Sequence, residues 1–359
     1  MRFRAGTPKL RAEAAHAAVK AQVVRSFKAV RDLELVRLPE GAAVGAALNA
    51  YRKDPAVLYA EPDYAVHVLQ NPLTPNDPRF PEMWNLHNTG QNGGTPGADI
   101  HAPEAWGITT GSTNLVVGVI DTGIDYNHED LNANMFRNPL DCNNNGIDDD
   151  GNGFVDDCYG IDTFNDDSDP MDDHGHGTHV AGTIGAAGNN GIGVVGVNWQ
   201  VKLLACKFIN SGGWGYESDA ISCLDYMATM KDRGVNLVAT NNSWGGDAFS
   251  QALLDAIDSH RQRGILFIAA AGNAASGNDG SSLFPAGYYL PNLIAVAATD
   301  PSDSLASFSN FGRRSTHLGA PGVDILSSTP GNTYSTYSGT SMAAPHVTGV
   351  AALLAAQDP

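Results

Sequence analysis

Basic residues are scarce in most of this sequence. Only 21 of 359 residues are Lys or Arg, against 39 Asp or Glu, and the formal net charge is −18. Residues 1–70 contain 11 of the basic and 7 of the acidic residues, which leaves 10 basic and 32 acidic residues for the remainder. The strongly acidic composition of residues 71–359 disfavours nucleic acid as a partner and favours the binding of cations.

Long apolar runs are also absent. No stretch of 18 or more apolar residues occurs, so we expect no membrane-spanning helix and no membrane partner. The N-terminal residues 1–4 do not have the apolar core of a secretory signal peptide. We therefore expect either an intracellular protein or a secreted one recorded without its signal, and the chemistry below favours secretion.

Cysteine is rare, and its 4 copies fall into two local pairs, Cys142 with Cys158 and Cys206 with Cys223. Two local disulfides in an oxidising compartment are one interpretation, although four cysteines allow three pairings. For Cys206, a free buried thiol on a strand is the alternative.

The change of charge near residue 70 predicts a domain boundary. Residues 1–70 are expected to form a small α+β domain, whose net charge is opposite to that of the rest, so that the two parts could attract each other. Its elements are expected to be helices over 13–30 and 43–52, a strand over 33–38 and a strand pair over 57–69. The proline-rich segment 71–81 predicts an extended linker open to proteolysis, followed by a larger domain over 82–359.

The larger domain alternates apolar runs with helical stretches. The runs do not alternate polar with apolar residues, which is typical of strands buried on both faces of a parallel sheet. We therefore predict an α/β fold with a mostly parallel sheet flanked by helices, and chemistry at the carboxyl ends of the strands. The predicted strands are 115–120, 201–209, 235–240 and 265–271, and the predicted helices are 217–232 and 250–263. Polar residues follow three of these strands: Asp121, Ser243 and Asn273.

Ser341 lies between a glycine turn and an apolar helical run. A hydroxyl at a helix N-terminus sits where backbone donors favour developing negative charge, so Ser341 is a candidate nucleophile. An ordinary N-cap serine is the alternative. Pro345 is expected in the first helical turn, where a missing N–H costs little.

Asp121 and His176 supply the remaining parts of a catalytic arrangement. Asp121 is either a turn-former or a group that orients a cation. His176 lies among glycines with His174 and His179, which suggests zinc, but the absence of His-Glu-x-x-His and the nearby hard oxygen ligands disfavour that metal. Together Asp121, His176 and Ser341 supply orienter, base and nucleophile, and the Asn273 amide can donate to an oxyanion.

Three motifs resemble those of the subtilisin-like serine proteases, the subtilases. They are Val-Ile-Asp-Thr-Gly-Ile-Asp around Asp121, His-Gly-Thr-His-Val-Ala-Gly-Thr from His176 and Gly-Thr-Ser-Met-Ala-Ala-Pro-His around Ser341. The roles follow the known order Asp, His, Ser of subtilisin itself. The resemblance covers residues 77–359 and implies a triad of Asp121, His176 and Ser341, with Asn273 in the oxyanion hole.

The same resemblance implies a substrate cleft and a structural role for His174 and His179. Two backbone strips would hold an extended peptide, and Leu283 would lie near the floor of the first specificity pocket, which favours an apolar or uncharged substrate side chain. The strips consist of Ser243, Trp244 and Gly245 and of Ala270, Ala271 and Gly272.

An acidic insert predicts calcium binding. Residues 141–173 contain 12 Asp, no Glu and no basic residue, so like charges repel one another unless a cation is bound. Oxygen-bearing side chains alternate ahead of a glycine, as in calcium loops, although the distal Glu of an EF-hand is absent. Cys142 and Cys158 bracket this loop, and a solvated acidic loop is the alternative. The candidate ligands are Asp141, Asp148, Asp150, Asn152, Asp156 and Asp157.

The subtilase resemblance implies a second Ca²⁺ site and a pro-form. Asp130 and Asn190 would give side-chain oxygens to this ion, and Gly188, Ile192 and Val194 would give carbonyls. Residues 1–70 resemble the family's propeptide, an intramolecular inhibitor, and we expect self-cleavage between about residues 70 and 76. The family pattern continues beyond the serine helix, so the sequence is expected to be truncated at its C-terminus.

The function expected is that of a secreted, monomeric serine endopeptidase acting on proteins or peptides. One alternative is an inactive, propeptide-capped, calcium-binding protein of the same fold. The other is a serine esterase, against which stands the absence of a Gly-x-Ser-x-Gly elbow.

Overall fold

The computed structural model describes residues 1–64, 71–280 and 283–357. The chain divides into two units, Met1–Leu69 and Gln70–Pro359. Within the described residues, no helix is both long enough and apolar enough to cross a membrane.

The smaller unit packs two helices and two strand pairs around Phe3, Tyr51 and Val57. Strands β1 and β4 pair antiparallel, as do β2 and β3. The elements are β1 (Arg2–Phe3), α1 (Lys9–Ala18), β2 (Gln22–Ser26), β3 (Glu34–Arg37), α2 (Val44–Lys53) and β4 (Val57–Tyr59).

Two predictions for this unit need correction. The helix expected over 13–30 ends at Ala18, and β2 occupies part of the remainder. Lys20 has a φ of 56°, which is incompatible with a continuing helix, and the β-branched pair Val23 and Val24 suits a strand. Of the strand pair expected over 57–69, β4 is the first part, 61–64 has no regular structure, and 65–69 lies outside the described residues.

The larger unit contains the main sheet and its helices. The elements are α3 (Ala102–Trp106), β5 (Gly111–Asp121), β6 (Gly160–Asp162), α4 (His176–Gly185), β7 (Gln200–Lys207), α5 (Glu217–Asp232), β8 (Leu237–Asn242), α6 (Gln251–Gln262), β9 (Leu266–Ala270), β10 (Leu293–Thr299), β11 (Leu318–Pro321), β12 (Ile325–Thr329), β13 (Thr333–Tyr337) and α7 (Thr340–Gln357).

Seven parallel strands form one sheet in the order β11-β10-β9-β8-β5-β7-β6. The predicted α/β fold is therefore confirmed. Strands β12 and β13 form a separate antiparallel hairpin.

Alternating residues of β5 explain why its sequence is apolar throughout. Val117 and Val119 belong to the core on one face, with α4 and α7, whereas Val116 and Ile120 belong to the core on the other, with α5 and α6. A strand covered on both sides has no solvent-facing positions for polar residues.

The strand order reverses at β5, which lies between β7 and β8. In open α/β sheets the crevice at such a reversal, beyond the carboxyl ends of the strands, is where ligands bind. Asp121 ends β5, and Ser243 and Ala271 directly follow β8 and β9.

All four cysteines lie in the described part of the chain, and all are paired. Cys142 is bonded to Cys158 and Cys206 to Cys223, with Cα–Cα distances of 4.3 and 5.7 Å. The two predicted local disulfides are confirmed, and the free-thiol alternative for Cys206 is wrong.

Candidate active site

Asp121 and His176 are joined by a hydrogen bond at the carboxyl end of the sheet. Asp121 is the fully buried last residue of β5, and His176 is the first residue of α4. Nδ1 of His176 lies 2.7 Å from Oδ1 of Asp121, which also accepts the Thr122 N–H at 2.8 Å. The contact fixes the ring so that Nε2 is the nitrogen available for proton transfer.

The electrostatic surroundings favour the charged form of His176. Burial lowers the pKa of His176, but the charge and hydrogen bond of Asp121 and the charge of Asp172 outweigh burial and raise it above its ordinary value. A neutral imidazole, which can act as a base, therefore predominates only above this raised pKa.

Ser341 is the second residue of α7 and lines the same cavity, of about 620 Å³, as His176. Its Oγ donates to the carbonyl oxygen of Ser243 at 3.2 Å, and the Ser243 Oγ donates to the carbonyl oxygen of Ser341 at 2.9 Å. This reciprocal pair ties the start of α7 to the end of β8.

Pro345 explains why the Ser341 carbonyl is free for that contact. The prediction that Pro345 lies in the first helical turn is wrong, because α7 begins at Thr340. The carbonyl four residues before a proline receives no helical N–H. Here that carbonyl belongs to Ser341, and the Ser243 hydroxyl supplies the missing donor.

The Asn273 amide is oriented by Thr340. Its Oδ1 accepts the Thr340 N–H at 2.8 Å and the Thr340 hydroxyl at 2.9 Å. The amide nitrogen is thereby directed to the start of α7, where a Cβ on Gly339 would lie 3.5 Å from it. An exposed N–H₂ group beside Ser341 can donate to a negatively charged oxygen.

Six of the seven residues predicted to bind substrate line this cavity, and Ala271 does not. The Ala271 N–H is used inside the sheet, on the carbonyl of Val296 at 2.9 Å. Leu283 lies between the two strips. A Cβ atom added at Gly245 would lie 3.1 Å from Cδ2 of Leu283, and one added at Gly272 would lie 2.7 Å from it. The predicted residues that line the cavity are Ser243, Trp244, Gly245, Ala270, Gly272 and Leu283.

Two exposed carboxylates, Glu217 and Asp247, also line the cavity and were missed by the sequence analysis. Neither forms an ion pair with any described residue. No motif marks them, because their place in the cleft follows from the loops after β7 and β8.

Asp172 connects the elements that hold Asp121 and His176. Its carboxylate accepts the Thr122 hydroxyl at 2.8 Å and the N–H groups of His174, Gly175 and Thr178 at 3.0, 2.8 and 2.9 Å. An acidic residue just before a helix start is the one sequence signal that could have indicated this role.

Lys207 was also missed by the sequence analysis. It lies opposite Asp121 in the sheet and is 2 % exposed. Its ammonium group donates to the carbonyls of Thr122 and Ile209 at 3.0 and 3.1 Å and to Asp173 at 2.6 Å.

Comparison with known sequences identifies the family. The sequence model of the subtilase family matches residues 112–359, and that of the fervidolysin N-terminal prodomain matches residues 2–63. The chain belongs to the subtilase family. It is a subtilisin-like serine endopeptidase by family, and its N-terminal region is a prodomain.

This subtilase is 38% identical over 316 residues to a thermophilic serine proteinase of Bacillus sp. (strain AK1), an alignment that covers 88% of this chain and 67% of the relative. It is 39% identical over 259 residues to subtilisin-like protease 1 of Plasmodium vivax. That alignment covers 67% of this chain and 40% of the relative, so the chain spans well under two thirds of the Plasmodium protein.

Solved structures agree with the fold of this subtilase. A protease from Pseudoalteromonas arctica PAMC 21717 aligns with a TM-score of 0.62 at 30% identity, covering 78% of this chain and 86% of that one. A cold-adapted subtilisin-like serine proteinase aligns with a TM-score of 0.55 at 34% identity, covering 68% and 76%.

The acidic loop of this subtilase brings three carboxylates together. Oxygens of Asp141, Asp148 and Asp150 lie within 4.8 Å of one another, a geometry that could hold a metal ion. The donor set is one of hard oxygens, which Ca²⁺ prefers. Asp150 is also paired with Arg233 at 3.1 Å.

Two of the other predicted ligands of this loop, Asp156 and Asp157, are bonded to groups outside the three-carboxylate cluster. Asp157 is buried and accepts the Tyr226 hydroxyl at 2.6 Å and the Asn152 amide at 2.8 Å. Asp156 accepts the N–H groups of Asn145 and Gly146 at 3.0 and 2.7 Å. Asp156 and Asp157 are therefore not members of the three-carboxylate group, whereas Asn152, whose N–H lies 3.1 and 3.0 Å from Asp148 and Asp150 oxygens, is beside it.

The second predicted cation site involves the carboxylate of Asp130. This fully buried carboxylate accepts the Asn190 amide at 2.9 Å and the Val194 N–H at 2.8 Å, and burial raises its pKa. Asp77, which the sequence analysis missed, accepts the Asn189 N–H at 2.7 Å. A buried carboxylate that forms no ion pair with a described residue fits a cation. Asn190 presents its nitrogen to Asp130, so its amide must turn to become a ligand.

The histidines that suggested zinc do not converge. In the described residues, Asp141, Asp148 and Asp150 form the only group of three or more His, Cys, Asp or Glu side chains whose ligand atoms are close enough to share one ion. His179 is buried, with its Nε2 3.0 Å from the Ile325 carbonyl oxygen, and burial lowers its pKa to about 3. His174 is exposed and lines the active-site cavity.

Proposed function

We propose that this chain hydrolyses peptide bonds with Ser341 as nucleophile, His176 as general base and Asp121 as the group that orients His176. The observation behind the proposal is the 2.7 Å contact between His176 and the buried Asp121, beside a cavity that His176, Ser341 and Asn273 line. Such a set of groups turns a weakly nucleophilic hydroxyl into an attacking one.

In the proposed mechanism, Ser341 exchanges its contact with the Ser243 carbonyl for one with Nε2 of His176 when a peptide binds. His176 takes the hydroxyl proton as Oγ bonds to the peptide carbonyl carbon. The Asn273 amide donates to the resulting oxyanion, and His176 then gives its proton to the leaving amine. Water hydrolyses the acyl-enzyme by the same steps and frees Ser341.

The substrate preference that we propose is for an apolar or uncharged side chain before the cleaved bond. Leu283 between Gly245 and Gly272 supports it, because an apolar side chain faces the gap between the two backbone strips. A peptide library profiled for cleavage sites tests this proposal, and preferential cleavage after charged residues would contradict it.

Active-site labelling tests the proposed chemistry. We expect a serine-directed fluorophosphonate to modify Ser341 in calcium-loaded protein, and Ser341→Ala and His176→Ala to abolish labelling and peptide hydrolysis. Ser222→Ala, a substitution of an exposed serine on α5, should change neither. Absence of labelling in the unaltered chain would favour the inactive alternative, and hydrolysis of esters without peptides would favour the esterase.

We also propose that residues 1–70 act as an inhibitory propeptide of a secreted, monomeric enzyme and that 82–359 is the catalytic domain. The prodomain match and the two disulfides, which suit an oxidising compartment, support this. Residues 73, 76 and 77 of the proposed linker 71–81 are hydrogen bonded within the larger unit. The self-cleavage site that we propose lies between about residues 70 and 76, where the net charge of the chain changes sign.

Self-cleavage has a direct test. Purified Ser341→Ala chain should remain at full length under conditions in which the unaltered chain is shortened. Shortening of the Ser341→Ala chain at the same rate, alone in solution, would show that the cut does not depend on this serine.

A further inference from the structure

A second cavity, of about 440 Å³, lies in the larger unit away from Ser341. Thr113 and Lys202, near the starts of β5 and β7, and Asn236, just before β8, line it. Because these strands are parallel, the cavity is at their amino ends, opposite the edge where Asp121 lies.

The inner wall of this cavity is apolar. Met135 and Met230 are each 1% exposed, and Val116 and Phe136 are 5% and 7% exposed. Such a wall accepts a hydrocarbon group and gives no hydrogen bonds to a polar one.

The remaining wall carries three basic residues among neutral polar ones such as Asn114, Asn132 and Asn138, which is unusual for this unit. Residues 71–359 contain only 10 Lys and Arg, and Arg137, Lys202 and Arg233 all line this cavity. Asp150 is the acidic lining residue, and Arg233 already binds it through its side chain at 3.1 Å and its carbonyl at 2.6 Å.

Arg137 and Lys202 have no carboxylate partner among the described residues. Lys202 donates to the Ala133 carbonyl at 2.7 Å, and the Arg137 guanidinium lies 5.2 Å from the centre of the Tyr159 ring. Burial and the nearby charge of Arg137 lower the pKa of Lys202. Two cations that repel each other beside an apolar wall, in a unit rich in carboxylates, are the arrangement that an external anion would stabilise.

We propose that this cavity binds a carboxylate with an apolar tail. The carboxylate lies between Arg137 and Lys202, and the tail packs on Met135, Phe136 and Met230. Two sources present this chemistry: a free aliphatic carboxylic acid, and the C-terminal residue of a peptide with an apolar side chain.

Calorimetric titration of the full chain with Ser341→Ala, which prevents self-digestion, tests the site in the presence of calcium. The probes are octanoate for the free acid and N-acetyl-leucine for a peptide C-terminus, with octanamide and N-acetyl-leucine amide as uncharged counterparts. We expect at least one acid to bind about tenfold or more tightly than its amide, and the tighter acid identifies the source.

Substitutions locate the binding. Arg137→Gln and Lys202→Gln should each weaken the tighter acid about tenfold, whereas Arg313→Gln, which removes an exposed charge outside the cavity, should leave affinity unchanged. Far-ultraviolet circular dichroism verifies that each variant is folded. Equal binding of acids and amides, no binding of either acid, or an equal effect of Arg313→Gln would overturn the proposal.

Discussion

Asp172 is the residue through which the pH dependence of this subtilase can be adjusted. Its carboxylate is one of the groups that raise the pKa of His176, and it accepts hydrogen bonds from both sides of the site. Removal of its negative charge should therefore lower the pKa of His176 while a neutral amide occupies the same volume.

We expect Asp172→Asn to move the acidic limb of the kcat/KM profile to lower pH by a fraction of a unit to about one unit. A lower pKa means that neutral His176 is already abundant at lower pH, which gives the shift its sign. Asp169→Asn, which alters an exposed carboxylate bonded to Tyr126, serves as the control. An unchanged limb in Asp172→Asn, or an equal shift in the control, would contradict the expectation.

Lys207 positions the loop that follows Asp121. Lys207→Met should leave the carbonyls of Thr122 and Ile209 without their donor and release Asp173. We expect kcat to fall by at least tenfold with little change in KM, and the free energy of unfolding to fall by about 1–3 kcal/mol. Lys231→Met, which removes a half-buried lysine bonded to the Leu237 carbonyl, should reduce stability alone. If Lys207→Met also changed only stability, Lys207 would have no positioning role.

The site residues predicted from the sequence lie in local motifs, whereas the residues that were missed depend on contacts with distant parts of the chain. Asp121, His176, Ser341 and Asn273 each lie in a short motif at the end of a strand or the start of a helix, and the structure places them around one edge of the sheet. Asp172 and Lys207 depend on contacts with Thr122, 50 and 85 residues away. Glu217 and Asp247 enter the cleft only through loop conformation, which no local pattern encodes.

At the scale of elements, the acidic loop offers a test of calcium binding. At about 100 times its dissociation constant, a ligand adds about 2.7 kcal/mol to the free energy of unfolding. We expect calcium to raise the melting temperature by several degrees and this gain to shrink in Asp148→Asn, which alters one of the three clustered carboxylates. Calorimetry with calcium and with chelator measures the difference.

Asp149→Asn is the matched control in the same loop. Asp149 accepts the amides of Asn143 and Asn145 and is not one of the three clustered carboxylates. The two variants change the net charge equally, so identical calcium gains in both would mean that the loop responds to charge alone and holds no specific ion.

Continuous apolar runs and helical stretches made several elements predictable, whereas the shortest strands were missed. The sequence pattern for 217–232 coincides with α5, and the four predicted strands overlap β5, β7, β8 and β9. Strands β6 and β11 have only three and four residues, too few for a period to be recognised. β2 was missed because Ala and Lys around it favour helix, while pairing with β3 stabilises the strand.

At the scale of the whole molecule, the uneven charge predicts a salt effect. Residues 1–70 have a net excess of basic residues, whereas the remainder is strongly acidic, so attraction between the parts should weaken as salt screens it. After self-cleavage, inhibition by the released N-terminal part should be weaker at high salt than at low salt. Titration of residual activity measures this, and inhibition independent of salt would exclude a charge contribution.

The order of the elements along the chain also sets a sequence of events during synthesis. The proposed base and its orienting carboxylate are already made when the chain reaches β7, but the proposed nucleophile comes only with α7, more than a hundred residues later. A nascent or prematurely terminated chain that stops before Ser341 therefore lacks the proposed attacking group. The ability to hydrolyse peptide bonds would therefore be acquired last, which protects the growing polypeptide and the other proteins of the cell from cleavage.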